Sequence, residues 1–219
     1  MSTSPMGAPA SPGARALLVW MQTNPARLRG LLDEEAAGAA DDLSPAGDAA
    51  IRAHQRFVAE AIAANAAPAT REAADEFARE LPDRLGDGAR ADEELGRVGE
   101  AHAFEVERQF GEDAGADPNM RATIERRVRM GAWLRAFLLE LDDARALPAP
   151  IAPRAFEWMA SNQQRLADTI FAMDRAAKQA EIDRNGADAV DDAAVVNRIG
   201  QAAMVQAHMR FLVEAVSLA

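Results

Sequence analysis

Two stretches at opposite ends of this chain carry the same uncommon residues in the same order, and a repeat of this kind limits the fold more than any composition does. Trp20-Met21-Gln22-Thr23-Asn24-Pro25-Ala26-Arg27-Leu28 runs parallel to Trp158-Met159-Ala160-Ser161-Asn162-Gln163-Gln164-Arg165-Leu166, at an offset of 138 residues. Ile51-Arg52-Ala53-His54-Gln55-Arg56-Phe57-Val58-Ala59-Glu60-Ala61-Ile62 runs parallel to Val205-Gln206-Ala207-His208-Met209-Arg210-Phe211-Leu212-Val213-Glu214-Ala215-Val216, at an offset of 154. The order Trp, Asn, Arg, Leu, then His, Arg, Phe, Glu implies an internal duplication of one two-armed unit.

The spacing within each block is helical. At 100° per residue, Ile51, Phe57, Val58, Ala61 and Ile62 share a face, as do Val205, Phe211, Leu212, Ala215 and Val216. On the first arm Leu17, Met21, Leu28, Leu31 and Leu32 do the same, with Trp20 at the edge. Runs of β-branched and aromatic residues are missing, aromatics amount to 5%, and alanine dominates an apolar fraction of 49%. The expectation is an all-α bundle of about six or seven helices containing a duplicated antiparallel helical hairpin. Its expected organisation is a flexible leader at 1–14, a first hairpin at 15–69, acidic and basic middle helices at 70–146, and a second hairpin at 151–219. The two offsets differ by 16 residues, so each arm of the second hairpin is expected to be about eight residues, or about 12 Å, longer.

Turn signals fit this layout. Gly38 and Asp41-Asp42-Leu43-Ser44-Pro45 break the first unit, with Ser44 as a cap and Pro45 behind it. Asn185-Gly186 breaks the second, with Asp188, Asp191 and Asp192 as candidate caps. Phe77 to Leu85 resembles the first block weakly, Pro82 standing where Pro25 stands, which leaves a worn third copy open.

Within each unit one Asn and one His occupy apolar-face positions: Asn24 with His54, and Asn162 with His208. The midpoint of the first pair is residue 39, beside Gly38, and that of the second is residue 185. If the turns lie there, each Asn faces its His, and the pair satisfies two polar groups that would otherwise be stranded. That reading is structural, a polar pair fixing hairpin register. The functional alternative makes these four residues a polar binding site. A competing reading for Asn24 alone is a cap before Pro25, with the arm broken there. His54, His102 and His208 lack the accompanying carboxylates at ligand spacing, so no metal and no cofactor is expected. No residue pattern points to a catalytic nucleophile or a phosphate loop, and there is no Cys.

The net charge of −11 argues against nucleic acid, and no stretch reaches the roughly 18 apolar residues of a membrane span. The leader holds no Lys or Arg, so export by a signal peptide is not expected and the cytoplasm is the default location. Charge is uneven: residues 71–117 hold fifteen acidic and six basic side chains, whereas 118–137 hold one acidic and five basic. Either the acidic segment is a solvated face neutralised by the next helix, or it docks a basic protein. The acidic, Ala-rich amphipathic character is similar to that of granule-coating phasins, a similarity of composition that implies a coat on a hydrophobic surface. The expected function is a non-enzymatic protein-interaction module, self-associating or neutralising a basic partner. The alternatives are a small-molecule or enzymatic pocket between the repeats and an amphipathic coat.

Overall fold

Alanine-rich stretches with apolar residues three and four apart bury one stripe by forming helices, and in the computed structural model they do little else. The structure describes residues 11–38, 47–86, 88–110 and 118–218. Among these there are nine α-helices, one 3₁₀ turn and no strand, so the all-α reading holds. The helices are α1 (Pro12–Thr23), α2 (Pro25–Gly38), α3 (Gly47–Asn65), α4 (Arg71–Leu85), α5 (Ala89–Phe110), α6 (Pro118–Asp143), α7 (Ala152–Ser161), α8 (Gln163–Asn185) and α9 (Ala193–Val216), with the 3₁₀ turn at Ala187–Val190. The number exceeds the expected six or seven because each expected first arm is two helices, divided at Asn24 and at Asn162.

Helix starts follow local chemistry. Ser11 Oγ accepts the Ala14 N–H at 3.1 Å ahead of Pro12, and Asp192 Oδ1 accepts the Ala194 N–H at 2.8 Å. Helix α7 is capped from outside its own segment: Asp142, near the end of α6, accepts the N–H groups of Ile151 and Ala152 at 2.7 and 2.8 Å. This folds the Leu147-Pro148-Ala149-Pro150 linker back on α6. The capping residues expected at 41–45 lie outside the described residues. Pro82 sits inside α4 and starts nothing, so it does not do what Pro25 does at the head of α2.

The core is built on α3, α6 and α9, which pack on one another. α1 packs on α3 and α9, α2 and α4 on α3, α5 on α6, and α7 on α6 and α9. Phe57 and Val58 from α3, Trp133, Leu134, Phe137 and Leu138 from α6, and Met209, Leu212 and Val213 from α9 are buried. Phe77 of α4 meets Phe137 edge-on, centroids 5.4 Å apart. The apolar faces read from the sequence on α3 and α9 are the buried ones. The C-terminal half of α9 goes further, because apolar residues nearly all round it make a helix that belongs inside.

Candidate functional site

The repeated residues make repeated contacts. Asn24 Nδ2 donates to the Trp20 carbonyl at 2.8 Å, and Asn162 Nδ2 donates to the Trp158 carbonyl at 2.7 Å. In a continuous helix that carbonyl would take the backbone N–H four residues on. The side chain substitutes for it, so the helix closes at its asparagine and a new one starts at Pro25 or Gln163. Trp20 then packs on Phe57 (centroids 5.2 Å) and Trp158 on Phe211 (4.8 Å). Arg27 binds Glu60 at 2.6–3.1 Å, and Arg165 binds Glu214 at 2.7–2.9 Å. His54 Nδ1 lies 2.7 Å from the Ala50 carbonyl and His208 Nδ1 lies 2.8 Å from the Met204 carbonyl. Bound to a carbonyl oxygen, each Nδ1 is the protonated nitrogen.

These bonds correct the expected pairing. Asn24 does not bond His54: its amide is engaged within α1, and His54 Nε2 is buried without a hydrogen-bond partner. The ion pairs show why. Facing residues in an antiparallel pair share a midpoint; that of Arg27 and Glu60 falls between residues 43 and 44, and that of Arg165 and Glu214 between 189 and 190. Beyond the breaks, α2 against α3 and α8 against α9 are therefore in a register four to five residues later than the expected midpoints of 39 and 185, which the Trp20–Phe57 and Trp158–Phe211 contacts ahead of the breaks keep. Each Asn stands at the break ahead of that register, with its amide spent on the carbonyl four residues back. Asn24 belongs to the reading that breaks the arm before Pro25, although its side chain closes α1 rather than capping α2.

Arg56 stands four residues before Glu60 on α3, a spacing that favours an ion pair, yet it bonds elsewhere. Arg56 reaches across to Glu34 and Glu35 of α2, both at 2.8 Å, and Arg52 binds Glu35 at 2.9 Å. With Arg27 bridging Glu34 and Glu60, six side chains lace α2 to α3. The bond to Arg56 holds the Glu34 carboxyl below the usual range.

His54 and His208 are buried, and burial pushes the His54 imidazole below its usual range despite the Ala50 carbonyl. Both rings sit in the core with Nδ1 held by the carbonyl four residues back. No group of three or more metal-ligating side chains occurs among the described residues, and the His102 side chain lies outside them.

Gln55 was not singled out by the sequence reading, yet it is fully buried beside His54. Its Nε2 donates to the Trp133 carbonyl of α6 at 2.9 Å, tying α3 to α6. The signal was present in the repeat: the matched residue in the second block is Met209, so a polar side chain stands where its counterpart is apolar. Glu94 was likewise missed; buried on α5, it binds Arg135 of α6 at 2.9 Å, and that guanidinium lies 3.7 Å over the Phe156 ring.

The acidic middle divides in two. On α5, Asp92 and Glu94 pair with Arg129 and Arg135 of α6, and Glu140 of α6 takes Arg84 and Arg90. On α4, Glu72, Asp75, Glu76 and Asp83 are exposed and make no ion pair among the described residues.

The second hairpin differs from the first in reach and in surface. Helix α8 has 23 residues against 14 in α2, and α9 has 24 against 19 in α3. From Asp168 to Arg198 no side chain is fully buried, and over that span α8 packs chiefly on α9 and the 3₁₀ turn. The solvent side of this arm carries Asp168, Phe171, Ala172 and Arg175, all exposed, Phe171 at 54%. The matched residues of α2 are Gly30, Asp33, Glu34 and Ala37. The central acids Asp33 and Glu34 of one hairpin are thus Phe171 and Ala172 in the other.

No helix among the described residues is long and apolar enough to cross a membrane. A cavity of about 220 Å³ lies between Leu141, Asp142, Arg145 and the Leu147–Pro150 linker. Compared with protein-family models, curated proteins and solved structures, the chain matches none.

Proposed function

We propose that this chain is a non-enzymatic protein-interaction module whose two hairpins are copies of one unit, the second adapted for docking. The four matched contacts support common descent of the hairpins. The observation that carries the docking role is the exchange at one position of the unit. Where α2 exposes Asp33 and Glu34, α8 exposes Phe171 and Ala172 on an arm that buries nothing else completely. Isolated exposed apolar residues are ordinary. A charged pair replaced by an apolar pair at the same place, on an extended arm, is what a docking face requires.

The test compares the full chain with Phe171→Asp by sedimentation velocity and by affinity capture from the native host. Loss of a complex in the variant, with unchanged helicity, supports the reading. Identical behaviour of the two chains would remove it.

A second reading has its own observation. The α4 acids, which make no ion pair among the described residues, form a negative face suited to a basic protein, unlike Asp92 and Glu94 of α5, which pair with α6. Complex formation there weakens steeply between low and high salt, since exposed charges are screened beyond about 10 Å at 0.1 M. Salt-indifferent binding would leave α4 as a solvated face. The cavity of about 220 Å³ at the linker after α6 is smaller than the roughly 300–1,000 Å³ of small-molecule sites.

A further inference from the structure

The end of α6 holds a backbone conformation that its residue does not favour. Arg145 has φ +54°, and among the described residues it is the one non-glycine in the left-handed region. Its N–H donates to the Asp142 carbonyl at 3.0 Å, and the next N–H, of Ala146, donates to the Leu141 carbonyl at 3.3 Å. This pair of bonds closes a helix at a position where glycine is the usual residue, because a Cβ is disfavoured there. Helix α8 stops at such a residue, Gly186 with φ +91°. A side chain kept at a disfavoured position points to a use for that side chain.

The use is not found inside the chain. Arg145 is exposed, and its guanidinium makes no hydrogen bond or ion pair among the described residues. The α6 dipole favours a cation here, but a basic residue anywhere in the last turn has that benefit without the strained backbone. What Arg145 does is line the cavity of about 220 Å³ between the end of α6 and the linker. Leu141, Leu147, Pro148 and Pro150 give that cavity an apolar wall, stiffened by the two prolines. Asp142 lies on the same wall, with its two carboxylate oxygens held by the Ile151 and Ala152 N–H groups. The neighbouring acids are engaged as well, Glu140 by Arg84 and Arg90, and Asp143 by Arg90.

The free charge at the cavity is therefore one guanidinium, whose planar fork of N–H donors takes a carboxylate in two parallel bonds. Size narrows the ligand further. An apolar cavity of about 150 Å³ holds a benzene ring, so the space here suits a body of one ring. We propose that this cavity binds a small organic acid, with its carboxylate on Arg145 and a ring-sized apolar body against Leu141, Leu147 and the linker prolines. The site does not depend on the α8 face.

Titration of the full chain with benzoate, followed by calorimetry or ligand-observed NMR, tests the proposal. A ligand of this size is expected to bind with a Kd on the order of 1 mM. Benzamide keeps the ring without the charge and acetate keeps the charge without the ring, and each should bind roughly tenfold more weakly or worse. Arg145→Gly should weaken benzoate binding roughly tenfold or more. The same variant should raise the melting temperature by about 2–4 °C, because glycine relieves the left-handed backbone. Binding and stability moving in opposite directions separate a ligand-binding arginine from a merely structural one. Arg154→Gln, at an exposed arginine of α7, should leave binding unchanged.

Absence of saturable benzoate binding up to about 20 mM overturns the proposal. So does benzamide or acetate binding as tightly as benzoate, or benzoate binding undiminished in Arg145→Gly. Equal weakening by Arg154→Gln overturns it too, since that marks diffuse attraction to surface arginines. Weakened binding in Arg145→Gly with a lowered melting temperature makes Arg145 a structural residue, and the site falls; weakened binding with stability unchanged or raised supports it.

Discussion

His54 shows how a single residue records its surroundings. Its ring is buried, Nδ1 is held by the Ala50 carbonyl, and Nε2 has no partner, so the neutral form is the one the core accepts. Its folded pKa lies below the unfolded value of about 6.5. Above that value both states hold a neutral ring and stability does not depend on this group. As pH falls from about 6.5 towards the folded value, the unfolded chain takes up the proton first and stability is lost. Urea unfolding at pH 7.5 and pH 5 should therefore show a larger acid loss for wild type than for His54→Leu; equal losses would mean the ring is not desolvated. Gly88 is a second informative residue. Its φ is +72°, and a Cβ would lie 3.1 Å from the Trp133 ring. Gly88→Ala is expected to cost about 1–3 kcal/mol from backbone strain and overpacking together, measured by thermal or urea unfolding. A neutral result would show that Trp133 has room to move.

At the scale of elements, the lesson is how one side chain ends a helix without proline. Asn162 does at the α7–α8 junction what Asn24 does ahead of Pro25, although residue 163 is glutamine. The proline is therefore not the cause of the break; the asparagine amide that takes the i−4 carbonyl is common to both. Asn162→Ala is expected to cost about 0.5–1.5 kcal/mol by removing that bond. The junction after α6 depends on another such contact. Asp142 holds two N–H groups of α7, and an ionised acceptor at a helix start gains from the dipole as well. Asp142→Ala should destabilise by about 1–3 kcal/mol, with Asp142→Asn losing less because one acceptor remains. Both values come from urea unfolding. Equal, negligible losses would show that the linker is held by its prolines alone.

At the scale of the whole molecule, stability is uneven. The helices around α3, α6 and the C-terminal half of α9 carry most of the buried side chains, whereas the α8–α9 arm between Asp168 and Arg198 has none fully buried. Amide hydrogen exchange by mass spectrometry should find the outer arm, about residues 176–196, exchanging orders of magnitude faster than α6. Uniform slow exchange along both arms would contradict the burial pattern.

The sequence by itself determined the helical class, the buried faces of α3 and α9, the greater length of the second hairpin and the residues that recur. All of these depend on periodicity, length or residue order, which are local properties. Asp192 as a cap and Gly186 as a helix end were legible for the same reason, since they act within a few residues. Only the tertiary structure decided register and partnership. Asn24 bonding the Trp20 carbonyl rather than His54 came from a helix break at the asparagine that periodicity does not reveal. Arg56 bonding across to α2 rather than to Glu60 came from the proximity of two helices. Whether Glu94 is buried and Glu72 exposed depended on which faces α6 covers. Burial and ion pairing are set by what the rest of the chain brings alongside, and that is a property of the packed molecule, not of its local sequence.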